Sequence, residues 1–362
     1  MARTVIPFGP QHPVLPEPIH LSLVVEDERV IEALPTLGYV HRGLEMLATK
    51  RDYTQMIQIV ERVCGICSML HSLCYCQGLE ELLAVEVPRR ARMLRVVWSE
   101  LHRLHSHLLW LGLFADSFGF EALFMQFWRI REKVMDLNEG TTGNRVIVSV
   151  NVIGGVRADL DAGQVRWIRD TLLEVEASIQ SLQSTILNDA TVCRRTRGIG
   201  VLTKEAAYEL GAAGPMLRAS GIAQDLRQLG YAGFDELDFE PVVEIAGDCW
   251  ARSSVRFRET LQSIDLVRQA LSKLDDKLTP GELAAKAAGR PEGEVVTRVE
   301  QPRGECLYYM KANGSLFLER VRIRTPTFAN IPALTAILPG LDFADVPVVV
   351  LSIDPCISCT ER

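Results

Sequence analysis

Four cysteines dominate the chemistry open to this chain. Glu61-Arg62-Val63-Cys64-Gly65-Ile66-Cys67 and Asp354-Pro355-Cys356-Ile357-Ser358-Cys359-Thr360-Glu361-Arg362 each hold a Cys-x-x-Cys pair, with Cys67 and Cys356 lying 289 positions apart. Sulfurs three positions apart share one side of a helical turn or tight loop, so each pair can grip one metal ion. Two pairs brought together make a four-thiolate site. Structural zinc is the plain alternative for two such pairs. Zinc ribbons, however, set their pairs close together in a small metal-dependent fold, whereas these bracket a core that needs no staple. A soft four-sulfur site with acids and an arginine nearby points instead to a redox-active metal such as nickel or iron.

The elements that must join these pairs are drawn from 362 residues, 48% of them hydrophobic. That length admits two or three domains, yet one large core is also within reach, and neither an interdomain linker nor an internal repeat is visible. With 46 acidic and 39 basic residues the net charge is −7, which gives nucleic-acid binding no support. The first ten residues have neither an apolar h-region nor a small-residue cleavage site, which predicts a chain that stays cytoplasmic. Its nine cysteines are then thiols or metal ligands rather than disulfides. Cys74, Cys76, Cys193, Cys249 and Cys306 lack a partner at ligand spacing and are expected to be packing residues or bystanders. No apolar run reaches the roughly 20 residues that span a bilayer, so any membrane attachment comes through partners.

Patterning predicts an α+β fold, mainly helical with a small N-terminal β-sheet. Ile19 to Val25 and Arg29 to Leu34 read as a hairpin turning at Glu26-Asp27-Glu28, preceded by a proline-dense loop, residues 9–18, that displays its side chains. Residues 52–83 are helical around the first cysteine pair, with Gly65 allowing a break. Pro88 opens a long helix with Leu94, Val97, Trp98, Leu101, Leu104 and Leu108 as its buried stripe, and another runs from about Phe120 to Leu137 before Gly140-Thr-Thr-Gly143. Residues 145–152 read as a short β-branched segment, followed by Gly154-Gly155-Val156-Arg157, a loop where backbone comes close to something. Val165, Ile168, Leu172, Val175, Ile179, Leu182 and Ile186 make a heptad helix. Phe257, Leu261, Ile264, Leu271 and Leu274 mark a second, and together they predict an antiparallel helical core. Residues 276–295 look like a solvent-exposed excursion, 307–310 and 315–323 like strands, and 346–353 like a buried strand or extended segment leading into Asp354. As one domain, the chain divides into a β-rich part (1–45), a helical core (46–290) and a C-terminal part with the second motif (291–362).

The motifs resemble a known family. Arg62-Val-Cys-Gly-Ile-Cys-Ser-Met-Leu-His71 and Asp354-Pro-Cys-Ile-Ser-Cys-Thr-Glu-Arg362 resemble the two metal motifs of [NiFe]-hydrogenase large subunits. Gly9-Pro-Gln-His-Pro13, His41-Arg-Gly-Leu-Glu45, Gly154-Gly-Val-Arg157, Gly214-Pro-Met-Leu-Arg-Ala-Ser-Gly221 and Gly247-Asp-Cys-Trp250 resemble the quinone-site subunit of respiratory complex I as well. The two sets span nearly the whole chain and identify it with the membrane-bound, energy-converting hydrogenases of the Ech or carbon-monoxide-induced type.

The resemblance implies a nickel–iron centre whose iron carries carbon monoxide and cyanide. Cys64 and Cys356 would be terminal nickel ligands, and Cys67 and Cys359 would bridge to iron. His71 would donate a hydrogen bond to a bridging sulfur. Arg303 would hang over the open metal position, with Asp354 holding it, and Glu17 would relay protons. Asp116 would either complete this acid-and-arginine canopy or cap a helix. Where the family often ends in a histidine that helps bind a magnesium or iron ion with the counterpart of Glu45, this chain has Arg362, which implies an ion pair with Glu45 and leaves that third metal unassigned. Pro16 stands where the complex I loop has a second histidine, which weakens a quinone reading.

The activity implied is reversible dihydrogen oxidation and proton reduction on the cytoplasmic face of a membrane. The implied partners are an iron–sulfur small subunit, ion-translocating membrane subunits and a ferredoxin-type carrier, because no further cysteine set remains for a cluster. The chain ends directly after the second motif, as expected either of a processed form or of a gene lacking a cleavable tail. Two alternatives stay open: a complex I-like quinone-site coupling subunit, which the four cysteines oppose, and a zinc-stabilised scaffold.

Overall fold

A computed structural model describes residues 3–275 and 282–362. The Arg89–Asp116 helix runs for 28 residues from an N-cap at Pro88, whose fixed φ and missing N–H suit a helix start. The predicted stripe from Leu94 to Leu108 is fully buried, but so is the opposite face: Arg95, Glu100, His102, Arg103, His105 and His107 are at most 1% exposed. A helix buried all round must satisfy its polar groups internally.

The Ala162–Leu187 helix starts on a capping box, with Gln164 N donating to Asp161 Oδ1 at 2.8 Å and Asp161 N donating to Gln164 Oε1 at 3.0 Å. All seven predicted heptad positions are buried, packed on the Glu121–Thr142 and Cys249–Asp275 helices. The Glu121–Thr142 helix does not break at Gly140. An ideal Cβ there would lie 2.4 Å from the Trp167 ring, so this glycine makes room for a neighbouring helix, and the chain turns at Gly143 with φ 87°. Among the described residues no helix is long and apolar enough to cross a membrane.

Strands β1 (Thr4–Phe8), β2 (His20–Glu26) and β3 (Arg29–Thr36) form an antiparallel sheet with β2 central. The predicted hairpin turns at Asp27-Glu28, both at positive φ, the requirement of a type I′ turn. Strand β1, short and carrying Pro7, lies outside the prediction and occupies an edge, where proline is tolerated. Of the expected 145–152 segment only β4 (Asn151–Val152) is a strand, paired with β5 (Gly155–Val156). What comes close to the Gly154-Gly155 loop is the backbone of residues 283–285: Val156 N donates to Leu283 O at 2.8 Å and Ala285 N to Gly154 O at 3.0 Å.

Strands β6 (Glu292–Gln301), β7 (Gly304–Asn313) and β8 (Leu318–Arg324) form a sequential antiparallel sheet. Strands β7 and β8 match the two predicted strands. Strand β6 corrects the expected excursion over its residues 292–295, since Val295, Thr297 and Val299 alternate inward from there; residues 276–281 of that excursion lie outside the described residues. The 346–353 segment is also corrected, for Val346–Ser352 is a helix with Pro347 in its first turn. A short run of apolar residues fits a buried helix as well as a buried strand.

Candidate metal centre

Both cysteine pairs sit where helices are interrupted. A 3-10 turn, Glu61–Val63, ends in an extended Cys64, and the Ser68–Leu82 helix restarts with Cys67 at its N-cap. Cys356 likewise precedes the short Ile357–Thr360 helix that carries Cys359. Arg42 ties the two motifs together: Nη1 donates to Arg62 O at 2.9 Å, and Nη2 donates to Val63 O at 2.8 Å and Ser358 O at 3.0 Å. The Ser68–Leu82 helix is anchored near its far end by a buried ion pair, Arg95 Nη2 to Glu80 Oε1 at 2.6 Å, whose guanidinium also donates to Val152 O and Gly155 O.

Among the described residues, Cys64, Cys356 and Cys359 place their sulfurs within 4.8 Å of one another, and Cys64 Sγ lies 3.2 Å from Cys356 Sγ. All four predicted ligands are buried and free of disulfides. Hydrogen bonds from Cys356, then Cys359 and Cys67, pull the Cys64 thiol well below its ordinary value against the cost of burial. Burial instead pushes the Cys359 thiol well above its own. The Cys64 thiolate is thus stabilised by its neighbours, and ionising Cys359 requires added positive charge. Three converging buried sulfurs, with Cys67 outside that group but against Arg303, fit a soft transition metal held by thiolates.

Arg303 supplies one such charge. It lies in the two-residue turn between β6 and β7, closed by the Gln301–Gly304 pair, and that turn is driven into the interior. The approach depends on glycine: an ideal Cβ on Gly214 would lie 2.2 Å from Arg303 O. Nη1 of Arg303 lies 3.4 Å from Cys67 Sγ and 3.3 Å from Ser106 Oγ. Nε donates to Asp354 O at 2.9 Å and Nη2 to Asp354 Oδ1 at 2.7 Å. Burial disfavours the charged guanidinium, but Asp354 and then the thiolates outweigh this and hold it protonated. The other oxygen, Asp354 Oδ2, is buried without a hydrogen-bond partner among the described residues.

His71 bridges the site to the C-terminal sheet. Its Nε2 lies 3.4 Å from Cys359 Sγ and its Nδ1 2.8 Å from Tyr308 Oη. Burial lowers the imidazole to about 4 and pushes the Tyr308 phenol up, so both are neutral near pH 7. With Tyr308 Oη–H donating to Nδ1, the imidazole's single N–H faces the sulfur.

Glu17 reaches the second motif from the proline-dense loop. It accepts from the Ile357 and Ser358 N–H groups, the latter at 3.0 Å, and from the Ser358 hydroxyl. Glu45 and Arg362 are paired, Nε to Oε1 at 3.0 Å, but Arg322 shares the same carboxylate at 2.8 Å. Asp116 is not brought to the cluster. It is the exposed last residue of the Arg89–Asp116 helix, ten positions and about 15 Å along the axis from Ser106, so it neither joins Arg303 nor caps a helix start. Ser106 and Arg42 are the contributors that spacing did not single out. Arg42 sits inside the His41–Glu45 motif, while Ser106 is an ordinary serine on a helix and carries no signal of its own.

Residues 42–113 match the nickel-dependent hydrogenase family, and residues 117–289 and 282–362 match the 49 kDa subunit family of respiratory-chain NADH dehydrogenase. The carbon monoxide-induced hydrogenase of Rhodospirillum rubrum is 41% identical over 364 residues, spanning 100% of both chains. The membrane-bound hydrogenase subunit alpha of Pyrococcus furiosus is 38% identical, spanning 99% of this chain and 87% of that one. A chain from the membrane-bound sulfane sulfur reductase, an archaeal respiratory membrane complex, superposes with a TM-score of 0.94 at 30% identity, over 99% of this chain and 98% of its own.

Proposed function

Because the chain belongs to the [NiFe]-hydrogenase large-subunit family, in the branch related to the 49 kDa subunit of respiratory NADH dehydrogenase, we propose that it is the catalytic subunit of an energy-converting hydrogenase. It interconverts dihydrogen with protons and electrons. The observation that carries this reading is the cluster of Cys64, Cys356 and Cys359, with the guanidinium of Arg303 set beside the fourth cysteine, Cys67. A quinone-site coupling subunit leaves those thiols without a role, and a zinc scaffold leaves Arg303 and Asp354 without one.

Cys64, Cys67, Cys356 and Cys359 would hold the nickel–iron centre. When bound, that centre supplies the Lewis-acid and redox chemistry for heterolytic splitting of dihydrogen. Arg303, fixed on two sides by Asp354, keeps a positive charge aimed at the site in a dry interior, where it acts more strongly than in water. His71 orients and tempers the Cys359 sulfur through its N–H. Glu17 accepts the departing proton and passes it outward from the Ser358 hydroxyl, with which it already shares a hydrogen bond. Electrons leave through an iron–sulfur partner subunit towards a ferredoxin-type carrier. Ion-translocating membrane subunits hold the assembly to the cytoplasmic face.

The test is to purify the chain with its native partners and measure nickel, iron and zinc, with infrared absorption in the carbonyl and cyanide stretching region. One nickel per chain with those bands is expected. Zinc alone, or a matured sample without metal and bands, would overturn the reading in favour of a scaffold or a quinone-site subunit.

A further inference from the structure

Behind the turn that carries Arg303, the fold buries a second set of charges that the metal centre does not use. Arg218, fully buried, is its hub. Its Nε donates to Glu259 Oε1 at 2.7 Å, and its Nη1 donates to Glu300 Oε1 at 2.7 Å while lying 3.4 Å from Asp225 Oδ2. Three carboxylates therefore converge on one guanidinium. Asp225 has a second cation, Arg227, which donates to it through Nε at 3.0 Å and Nη2 at 2.9 Å. Glu259 has His107, whose Nε2 lies 3.0 Å away.

Glu300 has neither kind of support. Its Oε2 accepts the Leu226 N–H at 3.1 Å. The nearby Arg103 donates to the Glu300 carbonyl oxygen rather than to the carboxylate, and is paired with Glu100. Arg227 also meets Glu100, at 3.1 Å. The ion-paired array thus holds four carboxylates and three guanidiniums among the described residues, and Glu300 is the carboxylate left to share its cation. Towards the remaining neighbours, the Tyr231 hydroxyl accepts from Glu300 N at 3.0 Å and Glu305 is its partner across the β6–β7 ladder.

Although only 2% exposed, Glu300 lines a cavity of about 250 Å³ together with Gln224, Glu305 and Arg324. We propose that Glu300 is a proton-holding site, taking a proton from this cavity to become a carboxylic acid and returning it as a carboxylate while the guanidiniums around it stay charged. Like charges crowded on one cation cannot all ionise freely. Burial and then the Asp225 charge push the Glu300 carboxyl up to about 7, against the pull of Arg218 and, at longer range, of Arg103. Between it and Arg303 lie only Gln301 and Pro302. Gln301 is itself fully buried, with neither amide atom hydrogen-bonded among the described residues. Use of the stored proton at the metal centre rests on the hydrogenase reading; the holding of it does not.

The test is infrared difference spectroscopy of the intact complex between about pH 5 and pH 9. A protonated-carboxyl band that shifts in heavy water should vanish with a midpoint near neutrality, be lost in Glu300→Gln and persist in Glu305→Gln. In Asp225→Asn, which removes the rival charge, the midpoint should fall by about one pH unit or more. A band that survives Glu300→Gln, the lack of any such band in the parent protein, or an unmoved midpoint in Asp225→Asn would each overturn the proposal. Should Glu300→Gln fail to accumulate, the Asp225→Asn midpoint decides alone. Carboxyl vibrations do not depend on hydrogen chemistry, so a sample with the band but without nickel would sink the hydrogenase reading and leave this one standing.

Discussion

Arg303 and Asp354 are joined at two places, through the Asp354 carbonyl at 2.9 Å and its carboxylate at 2.7 Å, although 51 positions separate them. This double attachment fixes the plane of the guanidinium, which a lysine cannot reproduce. Arg303→Lys should retain nickel by elemental analysis and lose hydrogen turnover by about 100-fold. Asp354→Asn removes the main counter-charge of a buried cation and should cost roughly 3–5 kcal/mol in urea unfolding. Turnover in Arg303→Lys within a few-fold of the parent would remove the guanidinium from the chemistry.

Glu17 binds backbone and hydroxyl donors of the second motif, so its replacement tests both structure and proton transfer. Glu17→Gln keeps the shape and removes the negative charge beside the Ile357–Thr360 helix start. Hydrogen–deuterium exchange and turnover should fall by about 100-fold or more with nickel content unchanged. Unaltered exchange would exclude Glu17 from the proton path.

Glu259 and Glu300 should impose opposite pH dependences on stability. Burial would raise Glu259, but Arg218 and His107 overcome it and hold the carboxyl well below its ordinary range. Its contribution is therefore present above about pH 4.5 and lost as the solution is acidified. Glu300 is raised to about 7, so the folded chain keeps a proton that the unfolded chain releases, and this contribution declines from about pH 4.5 to 7. Glu300→Gln should make the slope of unfolding free energy against pH more positive in that window, by up to about 1.4 kcal/mol per pH unit. Denaturant titrations at several pH values provide the check.

The Glu45 carboxylate is lowered despite burial, by the Ile323 N–H and by Arg322 and Arg362. Arg362→Ala should cost about 1 kcal/mol near neutrality and less below about pH 4.5, where the carboxylate is protonated in the unfolded chain. An equal loss at both pH values would mean that Arg362 acts through packing on Phe328, which it covers at 5.0 Å.

Gly155→Ala would set a Cβ 2.0 Å from Leu283 O. Displacing the backbone of residues 283–285 should cost roughly 1–3 kcal/mol and show as faster amide exchange at Val156 and Ala285. Exchange unchanged from the parent would mean that the contact is dispensable.

The sequence carried the cysteine spacing, the heptad helix and the β2–β3 hairpin because each rests on a local period or turn chemistry. It did not carry the internal charge array. Glu100, Arg103 and His107 stand on a helix whose apolar stripe is complete without them, so its period does not mark them as buried; their partners Arg227, the Glu300 carbonyl and Glu259 come from elsewhere in the chain. Residues 346–352 were ambiguous for a different reason: an all-apolar run has no period to read. The motif containing Gly214 was visible, but its purpose, contact with the Arg303 backbone, exists only in three dimensions. Asp116 failed because a carboxylate on the right helix can still lie several turns from the site.

The 289 positions between Cys67 and Cys356 also set a timetable. At about 5–20 residues per second, a ribosome delivers the second pair roughly 15–60 s after the first. Throughout that interval Cys64 and Cys67 exist without their partners, as two thiols open to oxidants and to any soft metal that two sulfurs can hold. The complete pocket thus cannot exist before the second pair has been made, and a metal that needs all four sulfurs cannot be held until then.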